Sequence, residues 1–317
     1  MQYSQLPNFI YDLALQATQN AAIACYAEIG RGDKNVADNL AVKAMRETLG
    51  KSLEIYGTVV IGEGEMDEAP MLFIGETLGH GRFECDIAVD PLEGTSLCAN
   101  NMPNSITTIA ISQHKSILAA PDMYMDKIAS CKVKKSGIIG LDITIKTNIA
   151  NLAQHLNKPV EEITVCVLDR PRHAETIRQI RAMGCRVNLI SDGDIAGILQ
   201  TYYSDSIDLY VGSGGAPEGV LAAAAIKSLG GFMQGKLLFE NDEQKYYARQ
   251  LGIEEFDKIY NVEDMIRGDV VFAATGVTGG FLDGVKKHNQ KHFTTTSIVM
   301  QSGTKTINKI ISEHFLD

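Results

Sequence analysis

The sequence predicts an α/β protein, and three observations support this prediction. From about residue 150 onwards, short apolar strand-like segments alternate with helical segments, which is typical of an open, mostly parallel sheet covered by helices. The chain has 317 residues, of which 45% are hydrophobic and 21% charged, as expected of a globular protein with a sizeable core. Charged clusters directly follow several predicted strands, and α/β sheets bind their ligands at such strand ends.

Two helices are predicted at the start of the chain. The first covers 7–29, with Leu13, Ala17 and Ala21 on one face, and glycines end it. The second covers about 36–51.

Strand-like segments follow in the first half. They are YGTVVIG, FECDIAVD, SITTIAIS and a strand near Gly140-Leu141-Asp142. Pro91 is expected to end the second of them, because proline has no N–H to give to a sheet.

The second half predicts a regular series of helices and strands. In order they are helix 148–156, strand ITVCVL, helix 172–183, strand RVNLI, a short helix after Asp194, strand DLYVG and helix APEGVLAAAAIKSLG. A final strand, FTTTSIVMQSG, could pair with either half. The region 148–159 is the predicted boundary between an N-terminal α+β metal-binding domain (1–155) and a C-terminal α/β domain (156–317), with the active site between them.

Composition limits the partners and the compartment. The net charge of −10 argues against nucleic acid, whose phosphates are bound by clustered Lys and Arg. The six cysteines form no C-x-x-C pair, which favours free thiols in a reducing compartment. No apolar run is long enough to cross a bilayer and the first residues lack the pattern of a secretory signal. These features predict a cytoplasmic protein.

Two acidic clusters carry the functional argument. One predicted strand is followed by Asp90, Glu93 and then Thr95. Another is followed by four acids within six residues, the first of which is Glu63. Each could be an ordinary solvated turn. Carboxylates at neighbouring strand ends can instead bind Mg²⁺ or Mn²⁺, which prefer oxygen ligands, and the threonine hydroxyl can orient a water.

A glycine-containing segment, Gly30-Arg31-Gly32-Asp33-Lys34, precedes Asp38. Helix capping explains much of this pattern. Asp38 is either a surface acid or a partner of the acidic clusters.

Three later loops suit a phosphorylated ligand. Arg170-Pro171-Arg172 offers forked donors at the start of a helix. Asp192-Gly193-Asp194 is either a helix cap or a set of acceptors for sugar hydroxyls. In the segment 212–219, glycines precede a helix start with Pro217 in its first turn, which suits an anion approached by backbone amides. The P-loop, G-x-S-x-G and H-E-x-x-H patterns are absent.

Taken together, these motifs resemble the class II (GlpX-type) fructose-1,6-bisphosphatases of the lithium-sensitive sugar and inositol phosphatase superfamily. The motifs that carry the resemblance, in order from residue 30 to residue 280, are GRGDKNVAD, VVIGEGEMDEAPML, DIAVDPLEGT, APDMYMDK, RPRH, DGD, GGAPEG and AATGVTGG. The resemblance implies a layered α/β/α/β/α sandwich with two mixed sheets. It also implies removal of the 1-phosphate from fructose 1,6-bisphosphate in gluconeogenesis, with Mg²⁺ or Mn²⁺ as cofactor, inhibition by Li⁺ and a homo-oligomer (dimer or tetramer).

The resemblance also assigns roles to residues. The implied metal ligands are Asp38, Glu63, Asp90, Glu93 and Glu218. The implied catalytic residues are Thr95, which orients the attacking water, with Asp90, Glu63 and Lys34. The implied substrate contacts are Glu93, Gly94, Thr95, Tyr124, Arg170, Pro171, Arg172, Asp192, Gly193, Asp194 and Gly215.

This sequence departs from the family at a predicted substrate contact. Arg170 stands where relatives often have lysine, which keeps the charge and changes the donor geometry.

Two alternatives to the main interpretation stay open. One is a superfamily phosphatase acting on sedoheptulose 1,7-bisphosphate or an inositol phosphate, and the other is a non-catalytic regulator that binds sugar phosphates.

Overall fold

The computed structural model describes residues 6–64 and 70–316. These residues form two compact units. The first unit contains the described residues up to Leu118 together with those from Ile266 onwards, and the second unit is Ala119–Met265. The predicted boundary between residues 155 and 156 therefore lies inside the second unit.

The helices and strands in this part of the chain are as follows. The helices are α1 (Asn8–Cys25), α2 (Lys34–Gly50), α3 (Thr95–Ala99), α4 (Ile145–Leu156), α5 (Ala174–Ala182), α6 (Asp194–Tyr203), α7 (Ala216–Leu229), α8 (Asp242–Gln250) and α9 (Val262–Met265). Short 3-10 helices occur at Tyr26–Glu28, Val160–Glu162 and Pro171–His173. The strands are β1 (Ile55–Ile61), β2 (Thr77–Leu78), β3 (Phe83–Glu93), β4 (Ile106–Gln113), β5 (Tyr124–Ser130), β6 (Thr164–Leu168), β7 (Arg186–Ile190), β8 (Leu209–Gly215), β9 (Phe232–Leu237), β10 (Ile259–Asn261), β11 (Val270–Gly276), β12 (Lys286–Lys287), β13 (His292–Gln301) and β14 (Thr306–Phe315).

The first unit contains a mixed sheet with the order β12-β13-β11-β4-β3-β1-β2, and β14 also pairs with β13. Among the pairings of its described strands, β1 with β3 is the one that runs parallel. Helix α1 packs its buried face, which includes Ile10, Leu13 and Ala17, into a continuous apolar core with α2 and the sheet. The apolar residues recur every three or four positions, so one face of the helix is buried along its length.

The second unit contains a mixed sheet with the order β10-β9-β5-β8-β6-β7. Strand β6 runs parallel to β7 and β8, whereas β5 runs antiparallel to β8 and β9. The predicted α/β class with two mixed sheets is confirmed. The expectation of a mostly parallel sheet in the second half is wrong, because β5, β9 and β10 all pair antiparallel.

Three local predictions need correction or completion. The strand expected near Gly140 is a turn-rich loop, and the strand of this region is β5. Pro91 does not end β3, since the strand continues to Glu93 across a bulge where the register shifts between Asp90 and Glu93. The tail strand pairs within the first unit, as β13 with β11 and β14.

The prediction of free thiols is consistent with the structure, in which all six cysteines are unpaired and buried. Among the described helices, none combines the length and the apolar content needed to span a bilayer.

Candidate active site

Parallel pairing of β1 and β3 brings two predicted acids to the same edge of the first sheet. Ile61 of β1 is in register with Ala88 of β3. Two residues further along each strand, Glu63 lies just past the end of β1 and Asp90 lies within β3, so the two acids follow one another's register on strands that run in the same direction. The other acids of the Glu63 cluster, Glu65, Asp67 and Glu68, lie outside the described residues.

The chain turns sharply after Asp90. An Asp90 side-chain oxygen accepts from the amide of Leu92 at 3.2 Å across the bulge. Gly94 has φ +72°, and a Cβ at this position would lie 2.8 Å from Leu97 Cδ1, so only glycine fits without strain. Helix α3 begins at the next residue, Thr95. The predicted hinge between Glu93 and Thr95 is therefore a left-handed glycine.

The hydroxyl of Thr95 is available for a ligand. The residue is half-buried, and its hydroxyl makes no hydrogen bond to another described residue. A donor and acceptor that the fold does not use can orient a water molecule.

The glycine loop before α2 is anchored to α3. The amides of Gly30 and Gly32 donate to the carbonyls of Cys98 and Ala99, each at 2.9 Å. Asp33 caps α2 by accepting from the amides of Asn35 and Val36. This anchoring fixes the first turns of α2, which contain two predicted site residues, relative to α3.

Those two residues have different environments. Lys34, the first residue of α2, is exposed. Asp38, one turn further, is half-buried, and burial raises the pKa of its carboxyl to about 6. A nearby cation would favour the ionised form and oppose this shift.

In the second unit, Arg172 belongs to a compact polar group. Its Nη2 and Nε donate to the carbonyl of Ser213 at 2.8 and 3.1 Å, and Nε also donates to the Ser213 hydroxyl. The guanidinium carbon lies 4.7 Å from the centre of the Tyr124 ring, within the range of a cation–π contact. Arg172 and Tyr124, two of the predicted substrate contacts, therefore lie next to each other in the structure.

The buried His173 stabilises this group through hydrogen bonds to the backbone. The amide of Ser213 donates to Nε2 at 2.8 Å, and Nδ1 lies 2.8 Å from the carbonyl of Leu168. Since a backbone amide can only donate, Nε2 is the acceptor and Nδ1 carries the proton. His173 is buried and fixes the turn that positions Arg172.

Two other predicted substrate contacts, Arg170 and Pro171, are not part of this polar group. Arg170 is half-buried, and its side chain donates only to the adjacent carbonyl of Asp169, at 3.2 Å, among the hydrogen bonds of the described residues. Pro171 is exposed and begins the 3-10 helix. The Arg170 guanidinium keeps donors for an anionic ligand.

The DGD and GGAPEG motifs come together around a buried lysine. Lys127 of β5 is fully buried, and its ammonium contacts the carboxylate of Asp194 and donates to the carbonyl of Gly215 at 2.7 Å. Gly193 takes a left-handed conformation (φ +87°) and Asp192 accepts from its amide. Lys127 has no predicted role, although a lone lysine within the strand YMDKIAS is a signal that could have identified it.

Glu218 has an unsatisfied buried oxygen. Its Oε2 has no hydrogen-bond partner in the described part of the chain. Burial raises the pKa of this carboxyl, Lys127 lowers it, and Asp194 raises it again. A Cβ on Gly214 would lie 1.9 Å from Asp194, and one on Gly215 would lie 1.8 Å from Glu218. The consecutive glycines thus make room for two carboxylates.

These features fit a divalent cation. A buried, unpartnered carboxylate oxygen is a hard ligand that a cation would satisfy. Among the described residues, no three His, Cys, Asp or Glu side chains are close enough to hold a metal by themselves. Mg²⁺ commonly takes only one or two carboxylates and completes its shell with water and substrate phosphate.

A cavity of about 230 Å³ lies beside Arg172 within the second unit. Its polar lining includes Asp126, Thr176 and Asn148. Asp126, a residue that the sequence analysis passed over, pairs in register with Ser213, and burial raises the pKa of its carboxyl.

Comparison with known proteins identifies the family. The family described as bacterial fructose-1,6-bisphosphatase, glpX-encoded, matches residues 8–314. The chain is 43% identical to fructose-1,6-bisphosphatase 1 class 2 of Escherichia coli K12 over 319 residues, covering 95% of this chain and 94% of that protein. It is 42% identical to the class 2 enzyme of Haemophilus influenzae, covering 95% of each chain. It is also 39% identical to a Trichodesmium erythraeum protein named D-fructose 1,6-bisphosphatase class 2/sedoheptulose 1,7-bisphosphatase, covering 95% of this chain and 94% of that protein. The chain belongs to the glpX-type, class II fructose-1,6-bisphosphatase family.

Proposed function

We propose that this chain hydrolyses the 1-phosphate of D-fructose 1,6-bisphosphate, giving fructose 6-phosphate and inorganic phosphate, as in gluconeogenesis. The observation that supports this most directly is the parallel pairing of β1 and β3, with Glu63 just past the end of β1, Asp90 at the bulge of β3 and Thr95 at the start of the helix that follows β3. The names of its class 2 relatives agree with this activity.

The proposed cofactor is Mg²⁺ or Mn²⁺, with Li⁺ as an inhibitor. The proposed ligands, by resemblance to the family, are Asp38, Glu63, Asp90, Glu93 and Glu218. When bound, the cation would neutralise phosphoryl oxygens and acidify a water. The unsatisfied, buried Oε2 of Glu218 supports a role for this carboxylate in cation binding.

The chain's own groups would orient the reactants. Thr95 would aim the attacking water in line with the leaving sugar oxygen, with Lys34 nearby. In-line geometry and charge neutralisation account for most of the acceleration of phosphoryl transfer.

The distal phosphate would be bound in the second unit. Arg172 and Tyr124 already contact each other, and the guanidinium of Arg170 can donate further hydrogen bonds to the phosphate. Binding energy gained at the 6-phosphate can then be used to position the 1-phosphate. The proposed contacts to the remaining substrate atoms are Glu93, Gly94, Pro171, Asp192, Gly193, Asp194 and Gly215.

A second candidate substrate is sedoheptulose 1,7-bisphosphate. The name of the Trichodesmium erythraeum relative includes this activity. Rates on the two bisphosphates, measured side by side, would rank them.

The assembly and the compartment are also proposals. A homo-oligomer, dimer or tetramer, is supported by the exposed Ile311 and Phe315 on β14, because exposed apolar groups of this kind suit an interface. Light scattering coupled to gel filtration would give the molar mass of the assembly and so the number of subunits. Six unpaired cysteines support a cytoplasmic location.

The activity is tested by phosphate release from fructose 1,6-bisphosphate. We expect turnover with Mn²⁺ or Mg²⁺, loss of activity with chelator, recovery on adding the cation back, and inhibition by Li⁺. Ligand-induced stabilisation without phosphate release at any cation concentration would instead indicate a non-catalytic regulator.

Arg172→Ala is expected to raise the KM for fructose 1,6-bisphosphate by roughly 10- to 100-fold, because a charged hydrogen bond to phosphate contributes about 1.5–3 kcal/mol. The matched control is Arg178→Ala, an exposed arginine of α5 that pairs only with Glu175 among the described ion pairs. Steady-state kinetics of both variants decide the point. Equal KM values for Arg172→Ala and the unmodified protein would remove Arg172 from the phosphate site.

A further inference from the structure

Lys127 is unusual because its charge is completely buried. Its side chain is 0% exposed, and a lysine ammonium loses its hydration at such a position unless specific partners replace the water. The lysines that pair with the buried Asp208 in the same unit, Lys132 and Lys158, keep 21% and 32% of their side chains exposed. The burial of Lys127 therefore requires a separate explanation.

The partners of Lys127 belong to two motifs that are far apart in sequence. The ammonium contacts Asp194, the first residue of α6, and donates to the carbonyl of Gly215, the last residue of β8. A Cβ on Gly219 would lie 3.5 Å from Lys127 Cδ, so the first turn of α7 also packs close to the lysine stem. One side chain thus links the starts of both helices.

The charges around Lys127 do not cancel. One ammonium faces two carboxylates. Lys127 contacts Asp194, and both Lys127 and Asp194 interact electrostatically with Glu218. The oxygen that remains without a partner is Oε2 of Glu218. Lys127 therefore satisfies Asp194 and leaves Glu218 available for a cation.

We propose that Lys127 is a positioning residue of the active site, which fixes Asp194 and the Gly215–Glu218 turn in the orientation that binds cation and sugar. This inference rests on the proposed function. Lys127 itself does not contact the substrate. It acts by holding the carbonyl of Gly215 and the carboxylate of Asp194, in the way that outer partners orient the ligands of metal sites.

Electrostatics and positioning predict opposite effects of removing the lysine. Loss of a positive charge near Glu218 would by itself strengthen the binding of a cation. Loss of the contact to Gly215 would release the turn that carries Glu218 and weaken binding. Groups that orient metal ligands typically contribute 10- to 100-fold to affinity or activity.

The experiment uses Lys127→Met, which keeps an unbranched side chain one atom shorter and removes the charge. We expect the Kd for Mn²⁺, measured by calorimetry without substrate, to rise about ten-fold or more. We also expect the half-activating Mn²⁺ concentration in the phosphate-release assay to rise in parallel. The matched control, Lys158→Met, removes an ion pair to the buried Asp208, and it should lower the thermal unfolding temperature with an unchanged response to Mn²⁺.

Unchanged or tighter Mn²⁺ binding by folded Lys127→Met would overturn the proposal. If circular dichroism shows that this variant is unfolded, Lys127→Gln, which is neutral with a polar end, provides the same comparison. Lys127→Arg restores the charge and should recover part of the Mn²⁺ affinity. Failure of the unmodified protein to release phosphate would refute the proposed function, whereas the calorimetric comparison would still test Lys127.

Discussion

Replacing Asp90 with asparagine is expected to lower the turnover of fructose 1,6-bisphosphate by about 1,000-fold, the scale of removing one electrostatic group aimed at the reacting centre. The reason is the loss of a negative charge at the bulge of β3, in the part of the strand that runs alongside the end of β1. The fold is expected to persist, because an asparagine oxygen can still accept the amide of Leu92, as Asp90 does at 3.2 Å. Phosphate release at saturating Mn²⁺ and thermal unfolding of the same preparation provide the two measurements.

The same strand offers a matched control in Asp86. This buried carboxylate accepts from the amides of Lys115, Ser116 and Ile117 at 2.8–3.0 Å. Asp86→Asn places an NH₂ group against amide donors, so we expect a lower unfolding temperature and nearly normal turnover by the folded fraction. A pair of variants with the reverse behaviour, in which Asp86→Asn loses turnover and Asp90→Asn keeps it, would contradict the assignment of Asp90.

The two aspartates show what sequence could and could not predict about the site. Both lie in FECDIAVD, and only Asp90 was identified as a site residue, because it directly precedes a proline-glycine turn and a threonine. The parallel register of β1 and β3 then places Glu63 beside it. Sequence spacing could suggest this neighbourhood, since carboxyl ends of parallel strands share an edge, but it could not give the register.

The errors in the fold have physical causes. Strand β5 was missed because YMDKIAS contains two charged residues, so the segment lacks the continuous apolar pattern that predicts a buried strand. Its antiparallel pairing with β8 and β9 is what makes the second sheet mixed. Strand β14 is an edge strand with many exposed residues, so its alternation is weak. Pro91 is accommodated in a bulge, where a missing N–H costs nothing.

Long-range pairs explain the residues that were overlooked. Lys127 had no predicted role, and it is far apart in sequence from Asp194, which was a predicted substrate contact. The antiparallel pairing of β5 with β8 places Lys127 opposite Gly212, and the lysine ammonium contacts Asp194 at the start of α6. The glycines of GSGG were interpreted as an anion-binding loop. In the structure, Gly214 and Gly215 provide room for the carboxylates of Asp194 and Glu218, and the interpretation as a ligand-binding loop stays a prediction.

Replacing Thr95 with alanine is expected to lower turnover by about 100- to 1,000-fold with little change in KM, because a positioned proton-transfer or water-orienting group contributes on that scale. Thr95 is the first residue of α3 and follows the left-handed Gly94, so alanine is compatible with the backbone and the helix should form normally. The comparison variant is Thr95→Ser, which keeps the hydroxyl and loses a methyl group, and we expect it to retain turnover within roughly ten-fold. Single-turnover phosphate release separates the chemical step from product release. If alanine and serine variants release phosphate at the same rate as threonine, the water is oriented by another group, and the geometry of the Gly94 turn serves only to end β3.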